Sequence, residues 1–249
     1  MIISSKYNSK KITIDLSKPI DISIAINPNN GVNAFFIPEA SYEPLKIGNF
    51  IGSVKLGGSA NCENILINAH GNGTHTECIG HISKDRVCIN DVLKDFHFFA
   101  QLITVVPEKF DDDYVITMDC MSDFIYQPEC EAIIIRTSPN DESKKSMNYS
   151  GKNPTYIHHT VCKHLREIGI KHLLIDLPSV DREEDEGALA AHKAFWDING
   201  EFRKDMTITE LVYVPNEVKD GNYFLNLQIA SLMTDASPSK PILYSIMHE

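Results

Sequence analysis

Three histidines and one carboxylate fall within the twelve residues from His70 to His81, with Gly71 and Gly73 between the first two histidines. Imidazole nitrogens and carboxylate oxygens are ligands that Zn²⁺ and Mn²⁺ accept. Glycines give a loop the freedom to bring several ligands to one point. The segment therefore predicts a metal site, and its candidate members are His70, His75, Glu77 and His81.

The spacing of two of these residues suits a shared ligand role. His75 and Glu77 are two positions apart, and residues with that spacing point to the same face of an extended strand. We therefore predict that His75 and Glu77 bind the metal together.

The hydrophobic pattern indicates the elements that must position this cluster. Alternating or short apolar runs predict strands at residues 11–16, 20–26, 50–56, 63–69, 100–106, 132–137, 171–176, 208–214, 223–229 and 241–246. Helices are predicted at residues 91–96, 156–168 and 188–196. Strands outnumber helices, and no internal repeat or long linker interrupts them, so the pattern indicates one mixed α/β domain over residues 1–249.

Composition excludes several classes of partner. The chain has 249 residues, 43% of them hydrophobic, which is enough for one large core. Its net charge of −11 disfavours binding to nucleic-acid phosphates or anionic lipid. The first eight residues lack the apolar core of a signal peptide, and no apolar run reaches the length of a membrane span. We expect a soluble, cytoplasmic protein that binds a small molecule and neither nucleic acid nor a membrane.

The cysteines and an acidic triplet are interpreted as structural. The six cysteines form no CxxC pair and are expected to be reduced thiols. Cys78 lies inside the histidine-rich segment, where we interpret it as a small buried residue. The acidic triplet at residues 111–113 is typical of a solvated turn.

The histidine-rich segment resembles the signature of the cyclase or kynurenine formamidase family of metal-dependent hydrolases, H-x-G-T-H-x-D-x-P-x-H. Gly73-Thr74-His75 and His81 match that signature in type and spacing. In the family the first two histidines and the aspartate bind metal, the aspartate bridges two ions, and the last histidine is a general acid/base. The resemblance thus implies metal ligation by His75 and Glu77 and proton transfer by His81.

Three positions depart from the signature. Gly71 stands where the family has its first histidine, and the nearest candidate, His70, is one residue early. We predict that a bulge at residues 71–72 brings His70 to the metal, whereas a slipped strand would point it away. Glu77 replaces the aspartate, and its extra methylene moves the carboxylate by about 1.5 Å. Ile79 replaces the proline, which removes a fixed φ angle but no chemical group.

The resemblance continues downstream. Residues 176–181 are similar to a family segment of the form D-x-x-S-x-D, after which the family has a histidine on a helix and then a glutamate. His192 and Glu210 occupy those positions, and in the family these two residues bind the second metal. The implied ligands of one or two divalent ions, Zn²⁺ or alternatively Mn²⁺, are His70, His75, Glu77, His192 and Glu210. We assign no residue to an organic cofactor, and we assign to structure or surface the histidines at positions 97, 158, 159, 164 and 172.

The resemblance implies a metal-dependent amidohydrolase. Metal-bound hydroxide would attack the carbonyl of an aryl formamide while His81 protonates the departing nitrogen. The leading substrate is N-formylkynurenine, which gives kynurenine and formate in tryptophan breakdown. One alternative is hydrolysis of a cyclic amide such as isatin. The other is a non-catalytic small-molecule-binding homologue with a degenerate metal site, a reading motivated by Gly71 and Glu77.

The same resemblance implies a barrel-like, swivelling β/β/α architecture and assembly as a homo-oligomer. The segment through residue 45 is a candidate arm for that assembly. Several aromatic residues can stack on an aryl ring, although residues of this type are more often found in the core; they are Phe35, Phe36, Phe98, Phe99 and Trp196.

Overall fold

The structure, a computed structural model, describes residues 1–7, 9–122, 124 and 126–248. The strands are β1 (Ile2–Tyr7), β2 (Lys10–Asp15), β3 (Ile20–Asp21), β4 (Ser41–Pro44), β5 (Lys46–Ile47), β6 (Phe50–Ile51), β7 (Glu63–Leu66), β8 (His75–Cys78), β9 (His97–Val105), β10 (Glu108–Phe110), β11 (Asp113–Ile116), β12 (Ala132–Thr137), β13 (Tyr156–Ile157), β14 (His172–Ile175), β15 (Thr207–Glu210), β16 (Gly221–Ile229) and β17 (Ala236–His248). The α-helices are α1 (Ile89–Val92), α2 (His159–Glu167) and α3 (Ala190–Trp196). Short 3₁₀ helices lie at Val54–Leu56, Ile79–His81, Asp119–Met121 and Glu142–Lys145.

Seven strands close into a barrel in the order β17-β16-β9-β12-β14-β15-β8, because β8 also pairs with β17. Strands β9, β12, β14 and β15 run parallel to one another, and the remaining barrel pairings are antiparallel. Strands β2 and β3 pair with β17 outside this ring, and β1 pairs with β2. Closure leaves no free edge in the ring. Strand β8 is therefore held by hydrogen bonds on both sides.

The central strands are apolar on both faces. Along β12, Ile134 packs inside the barrel with Leu102 and Leu174. Its neighbours Ile133 and Ile135 belong to the outer layer, which includes core residues of α2 and α3. A parallel strand covered on both faces appears in the sequence as a continuous hydrophobic run. This is why residues 132–137 are recognisable as a strand from sequence alone.

The predicted mixed α/β fold with a barrel-like sheet is confirmed. Predicted strands in both halves of the chain correspond to β2, β9, β12, β14, β15, β16 and β17. Asp111 and Asp112 form the turn between β10 and β11, Asp113 begins β11, and all six cysteines are free. Among the described residues, no helix is long and apolar enough to cross a bilayer.

Several predicted strands are wrong in extent. Of residues 20–26 only Ile20–Asp21 forms a strand. Beyond it Ser23 makes one isolated bridge to Val212, and Ile22 and Ile24 are buried in two different clusters. The strand predicted at 50–56 stops at Ile51 and gives way to a 3₁₀ helix. The strand predicted at 63–69 ends at Leu66, pairs only with β4 and is exposed along its length. Alternating apolar residues indicate extended backbone, but they do not specify which partner it pairs with.

Two predicted helices are shifted. The helix predicted at 156–168 begins only at His159, because Tyr156–Ile157 pairs with β11 as a short strand and the side chain of His158 caps the helix. The helix predicted at 91–96 is a single turn over Ile89–Val92. It ends there because the buried Leu93 adopts an extended conformation, with ψ of 97°.

Candidate metal centre

Strand β8 presents His75 and Glu77 to the same side, as their spacing predicts. Both side chains are fully buried. Thr76 points to the opposite face, where its hydroxyl lies 2.8 Å from the hydroxyl of Thr209 on β15. The ring of His75 is fixed because its Nδ1 donates a hydrogen bond to the carbonyl of Gly73 at 3.0 Å. This tautomer leaves Nε2 with a free lone pair directed at the cluster.

Glu210 reaches the cluster by strand pairing. Antiparallel pairing of β15 with β8 sets Glu210 directly opposite His75, and directly opposed residues share a face of the sheet. His75 Nε2 lies 3.3 Å from Glu210 Oε2. The other carboxylate oxygen accepts a hydrogen bond from the backbone N–H of Val180 at 2.9 Å, which orients the side chain.

His192 is delivered by α3 and oriented by Asp181. The Asp181 carboxylate accepts hydrogen bonds from the backbone N–H groups of Ala191 and His192 at 2.7 and 3.1 Å. The same carboxylate accepts a hydrogen bond of 2.6 Å from His192 Nδ1. The opposite ring nitrogen, Nε2, lies 3.0 Å from Glu77 Oε1. Asp181 therefore both caps the helix and turns the imidazole towards the cluster.

His70 reaches the cluster from a turn. The bulge predicted at residues 71–72 is wrong: Asn72 N–H donates to the carbonyl of Asn68, so residues 68–72 form a tight turn. From this turn His70 Nδ1 lies 3.1 Å from Glu77 Oε2, and His70 Nε2 donates to Asp235 Oδ2 at 2.8 Å. The one-residue offset therefore still places a ring nitrogen beside Glu77.

His81 lies at the edge of the cluster. It ends the 3₁₀ helix after β8, and its side chain is 29% exposed. Its Nδ1 is 4.0 Å from Glu77 Oε2 and 3.5 Å from Asp235 Oδ2. The ring also packs beside that of His70, with 4.3 Å between centroids. His81 is therefore close to the buried carboxylate of Glu77 while remaining open to solvent.

Two residues of this site carry no assigned role in the sequence analysis. Asp181 lies within the segment at 176–181 that resembles the family, but its hydrogen bond to His192 follows only from the placement of α3. Asp235 is separated from His70 by 165 residues, and no motif marks it. The histidines assigned to structure or surface, namely those at positions 97, 158, 159, 164 and 172, belong to none of the possible metal-binding groups among the described residues.

The donor set fits a divalent cation. Within the described part of the chain, His75 Nε2 and Glu77 Oε2 are buried and have no hydrogen-bond partner. Buried polar atoms are rarely left unpaired unless something else satisfies them. Ligand atoms of His70, His75 and Glu77 lie within 4.8 Å of one another, and the same holds for two further groups, Glu77 with His81 and His192, and Asp235 with His70 and His81. Nitrogen and carboxylate donors converging in this way suit Zn²⁺ or Mn²⁺.

The electrostatics of the cluster favour a positive charge. Burial by itself lowers the pKa of His192, but hydrogen bonds to Asp181 and Glu77 outweigh that effect and raise the pKa to about 10. Burial likewise opposes a charge on His70, while Asp235 and Glu77 raise its pKa to about 10. The carboxylates that attract protons to these rings attract a divalent cation by the same field.

A cavity of about 330 Å³ opens onto the cluster. His70, His81, His192 and Glu210 line one side of it, and Phe35, Ile37 and Leu189 supply an apolar wall. Of the other aromatic candidates, Trp196 is buried behind His192 with 5.4 Å between ring centroids. Phe98 is also buried, and Phe36 is 73% exposed on the surface. The site therefore joins a polar cluster to an apolar pocket, as small-molecule sites commonly do.

Asp181→Ala is expected to lower metal affinity about 10- to 100-fold, the usual effect of losing the carboxylate that orients a metal-binding histidine. A Zn²⁺ titration against a competing chelator measures the change. Asp185→Ala is the matched control, because Asp185 accepts a hydrogen bond from Leu189 N–H at the start of α3 and makes no hydrogen bond to His192. Equal losses in both variants would show that Asp181 acts only by stabilising the helix.

The chain is similar in sequence to a known family and in fold to several solved structures. The Cyclase family model, described as "Putative cyclase", matches residues 14–182. A structure described as a predicted metal-dependent hydrolase from Bacillus stearothermophilus is 19% identical, with a TM-score of 0.64 over 91% of this chain and 98% of that one. Isatin hydrolase A from Labrenzia aggregata, bound to benzyl benzoate, is 12% identical, with a TM-score of 0.65 over 93% and 94% of the two chains.

A third structure, described as a potential metal-dependent hydrolase with cyclase activity, is 17% identical, with a TM-score of 0.65 over 91% of this chain and 97% of that one. No curated protein matches the chain. At these identities the structural matches establish the fold alone. The family match spans more than half of the 249 residues and includes the histidine-rich segment. The chain therefore belongs to the cyclase family.

Proposed function

We propose that this chain is a metal-dependent hydrolase that cleaves the amide bond of an aryl formamide, with N-formylkynurenine as the leading substrate. One observation carries the proposal: the buried, unpartnered atoms His75 Nε2 and Glu77 Oε2 meet beside a cavity large enough for a small aromatic molecule. The residues proposed to hold one or two divalent ions are His70, His75, Glu77, His192 and Glu210. A cation bound there supplies Lewis-acid activation of water and of a substrate carbonyl.

His81 is the proposed proton carrier. In the reaction, water adds to the formyl carbon, the carbon–nitrogen bond breaks, and the departing aryl amine takes up a proton. His81 lines the cavity and is 29% exposed, so it can deliver that proton to the nitrogen and exchange protons with solvent. The products are formate and the free amine.

The shape of the cavity supports an aryl substrate. Phe35, Ile37 and Leu189 contribute an apolar part of the cavity wall. A flat aromatic ring can bury against such a wall while its carbonyl is directed towards the polar side. The wall favours an aryl group over an aliphatic chain of similar length, because the ring fills it with less loss of conformational freedom.

Hydrolysis of a cyclic amide such as isatin is the second candidate. The observation that favours it is the shared fold with isatin hydrolase A over 93% of this chain. An isatin ring presents the same combination of an aryl group and an amide carbonyl. The two candidates therefore differ in substrate but use the same site residues.

Purified protein loaded with Zn²⁺ or Mn²⁺ tests the assignment, assayed with N-formylkynurenine and with isatin by the absorbance change of each. We expect near-stoichiometric metal and turnover of N-formylkynurenine. Turnover of isatin alone would replace the substrate but keep the mechanism. A protein with neither bound metal nor activity would be the non-catalytic binding homologue, and the proposal would be wrong.

The predicted homo-oligomer and cytoplasmic location remain predictions. The β4–β7 ribbon supports assembly, since Ile65 and Leu66 on its opposite faces are 60% and 67% exposed. An isolated two-stranded ribbon is at best marginally stable in water. We therefore propose that a second copy of the chain packs against it.

A further inference from the structure

A carboxylate from the far end of the chain is fixed at the candidate metal centre. Asp235 immediately precedes β17, whose first residue, Ala236, pairs with Glu77. The backbone carbonyl of Asp235 accepts a hydrogen bond from Cys78 N–H at 3.0 Å. Closure of the barrel therefore holds the Asp235 backbone in place independently of its side chain.

The Asp235 side chain engages only one of the two ring nitrogens of His70. His70 Nε2 donates to Asp235 Oδ2 at 2.8 Å. The other nitrogen, Nδ1, lies 3.1 Å from Glu77 Oε2. Because a nitrogen that donates a hydrogen bond has no lone pair for a metal, Nδ1 is the atom that His70 offers to the cluster.

The two buried histidines of the cluster, His75 and His192, follow the same rule, but each donates through Nδ1 and offers Nε2. His75 donates through Nδ1 to the carbonyl of Gly73, and His192 donates through Nδ1 to Asp181. Both rings therefore face the cluster with Nε2. Histidine ligands commonly donate their second nitrogen to a carboxylate or carbonyl, which fixes the tautomer and the ring orientation. Asp235 occupies that position for His70.

Packing at Gly71 leaves little space for a side chain at that position. A Cβ atom at Gly71 would lie 2.8 Å from Ile37 Cδ1 and 3.1 Å from the carbonyl oxygen of Ala34. A side chain at this position would require the end of the Ile37 side chain to turn away and the Ala34 carbonyl to shift by a few tenths of an ångström. Without a side chain at residue 71, the tight turn at residues 68–72 brings His70 to the cluster, and its ring must face inwards through Nδ1.

We infer that Asp235 is a positioning residue, which fixes the His70 ring so that Nδ1 binds the divalent cation. The inference rests on the proposed metal-dependent function. Asp235 acts through His70 and is not itself a ligand. Asp235 Oδ2 also lies 3.5 Å from His81 Nδ1, so the alternative is that Asp235 acts through His81. The experiment below separates the two alternatives.

A double-mutant cycle on Zn²⁺ affinity tests the inference, with affinity measured by chelator competition. Asp235→Ala is expected to weaken binding about 10- to 100-fold. Asp235→Asn should recover part of that loss, because the amide oxygen accepts the same hydrogen bond. In a His70→Ala background, Asp235→Ala should cause no further loss, since residues that act through one another are not additive.

Nitrogen-15 NMR of the histidine rings gives a readout that does not depend on activity. On addition of Zn²⁺, the His70 signal that moves should be Nδ1, whereas for His75 and His192 it should be Nε2. An Nε2 shift at His70 would overturn the inference. So would an equal effect of Asp235→Ala with and without His70, which would make Asp235 a direct ligand or a partner of His81.

The two proposals fail in different ways. Wild-type protein that binds Zn²⁺ and hydrolyses its substrate, with the Asp235→Ala variant unchanged in affinity, would overturn only the role of Asp235. Wild-type protein that shows the expected cycle and NMR shifts but hydrolyses neither N-formylkynurenine nor isatin would overturn only the proposed function. Circular dichroism checks folding, and the 36% exposure of the Asp235 side chain favours tolerance of the substitutions.

Discussion

Glu77→Ala is expected to lower the affinity of the site for Zn²⁺ by about 100-fold or more and to reduce amide hydrolysis to background. Glu77 is the central carboxylate of the cluster, because it lies within 4.0 Å of ring nitrogens of His70, His81 and His192. Loss of a residue that only orients a ligand already costs 10- to 100-fold. Removing the shared ligand itself should cost at least as much. Metal content after dialysis and a chelator titration measure the loss.

The control for this variant lies on the same strand. Thr76→Ser changes the opposite face of β8 by one methyl group and keeps the hydroxyl that contacts Thr209. We expect it to retain metal and activity. Glu77→Ala protein that is folded and still holds stoichiometric metal would contradict the central role of Glu77 and return the site to a three-histidine arrangement with Glu210.

His81→Ala is expected to separate chemistry from metal binding. Loss of a general acid typically lowers kcat by about 10²- to 10⁴-fold. Metal content and KM should remain close to those of the wild type, because the buried ligands are unchanged. The side chain is 29% exposed, so its removal should leave the core intact. Steady-state kinetics and metal analysis on the same preparation measure both quantities.

A histidine remote from the cluster provides the comparison. His97 is exposed and bonds to Asn226, so His97→Ala should leave kcat, KM and metal content unchanged. A loss of metal in the His81→Ala variant would be equally informative. If this variant lost its metal in proportion to its activity, His81 would be a ligand together with Glu77 and His192, and the proton would have to come from another group.

Sequence predictions are correct here where they depend on a local pattern of residues. They fail where they depend on contacts between segments that are remote in sequence. Residues 132–137 are recognisable as a strand because both of their faces are buried. The common orientation of His75 and Glu77 follows from the period of a strand. Residues 63–69 show the limit of this reasoning: only Glu63–Leu66 forms a strand, and it lies on an exposed ribbon outside the barrel. Local pattern contains no information about which strands pair.

The sequence by itself determined which chemical groups are available to this protein. They are the histidines and the carboxylate at residues 70–81, two of which lie on one strand, together with His192 and Glu210, which the family resemblance adds. The tertiary structure decided how these residues act. Barrel closure sets Glu210 opposite His75 and brings Asp235 to His70 across 165 residues. The placement of α3 turns His192 towards Glu77 across 115 residues. Ring orientation depends on hydrogen-bond acceptors that are remote in sequence, so only the folded chain shows which nitrogen each histidine offers.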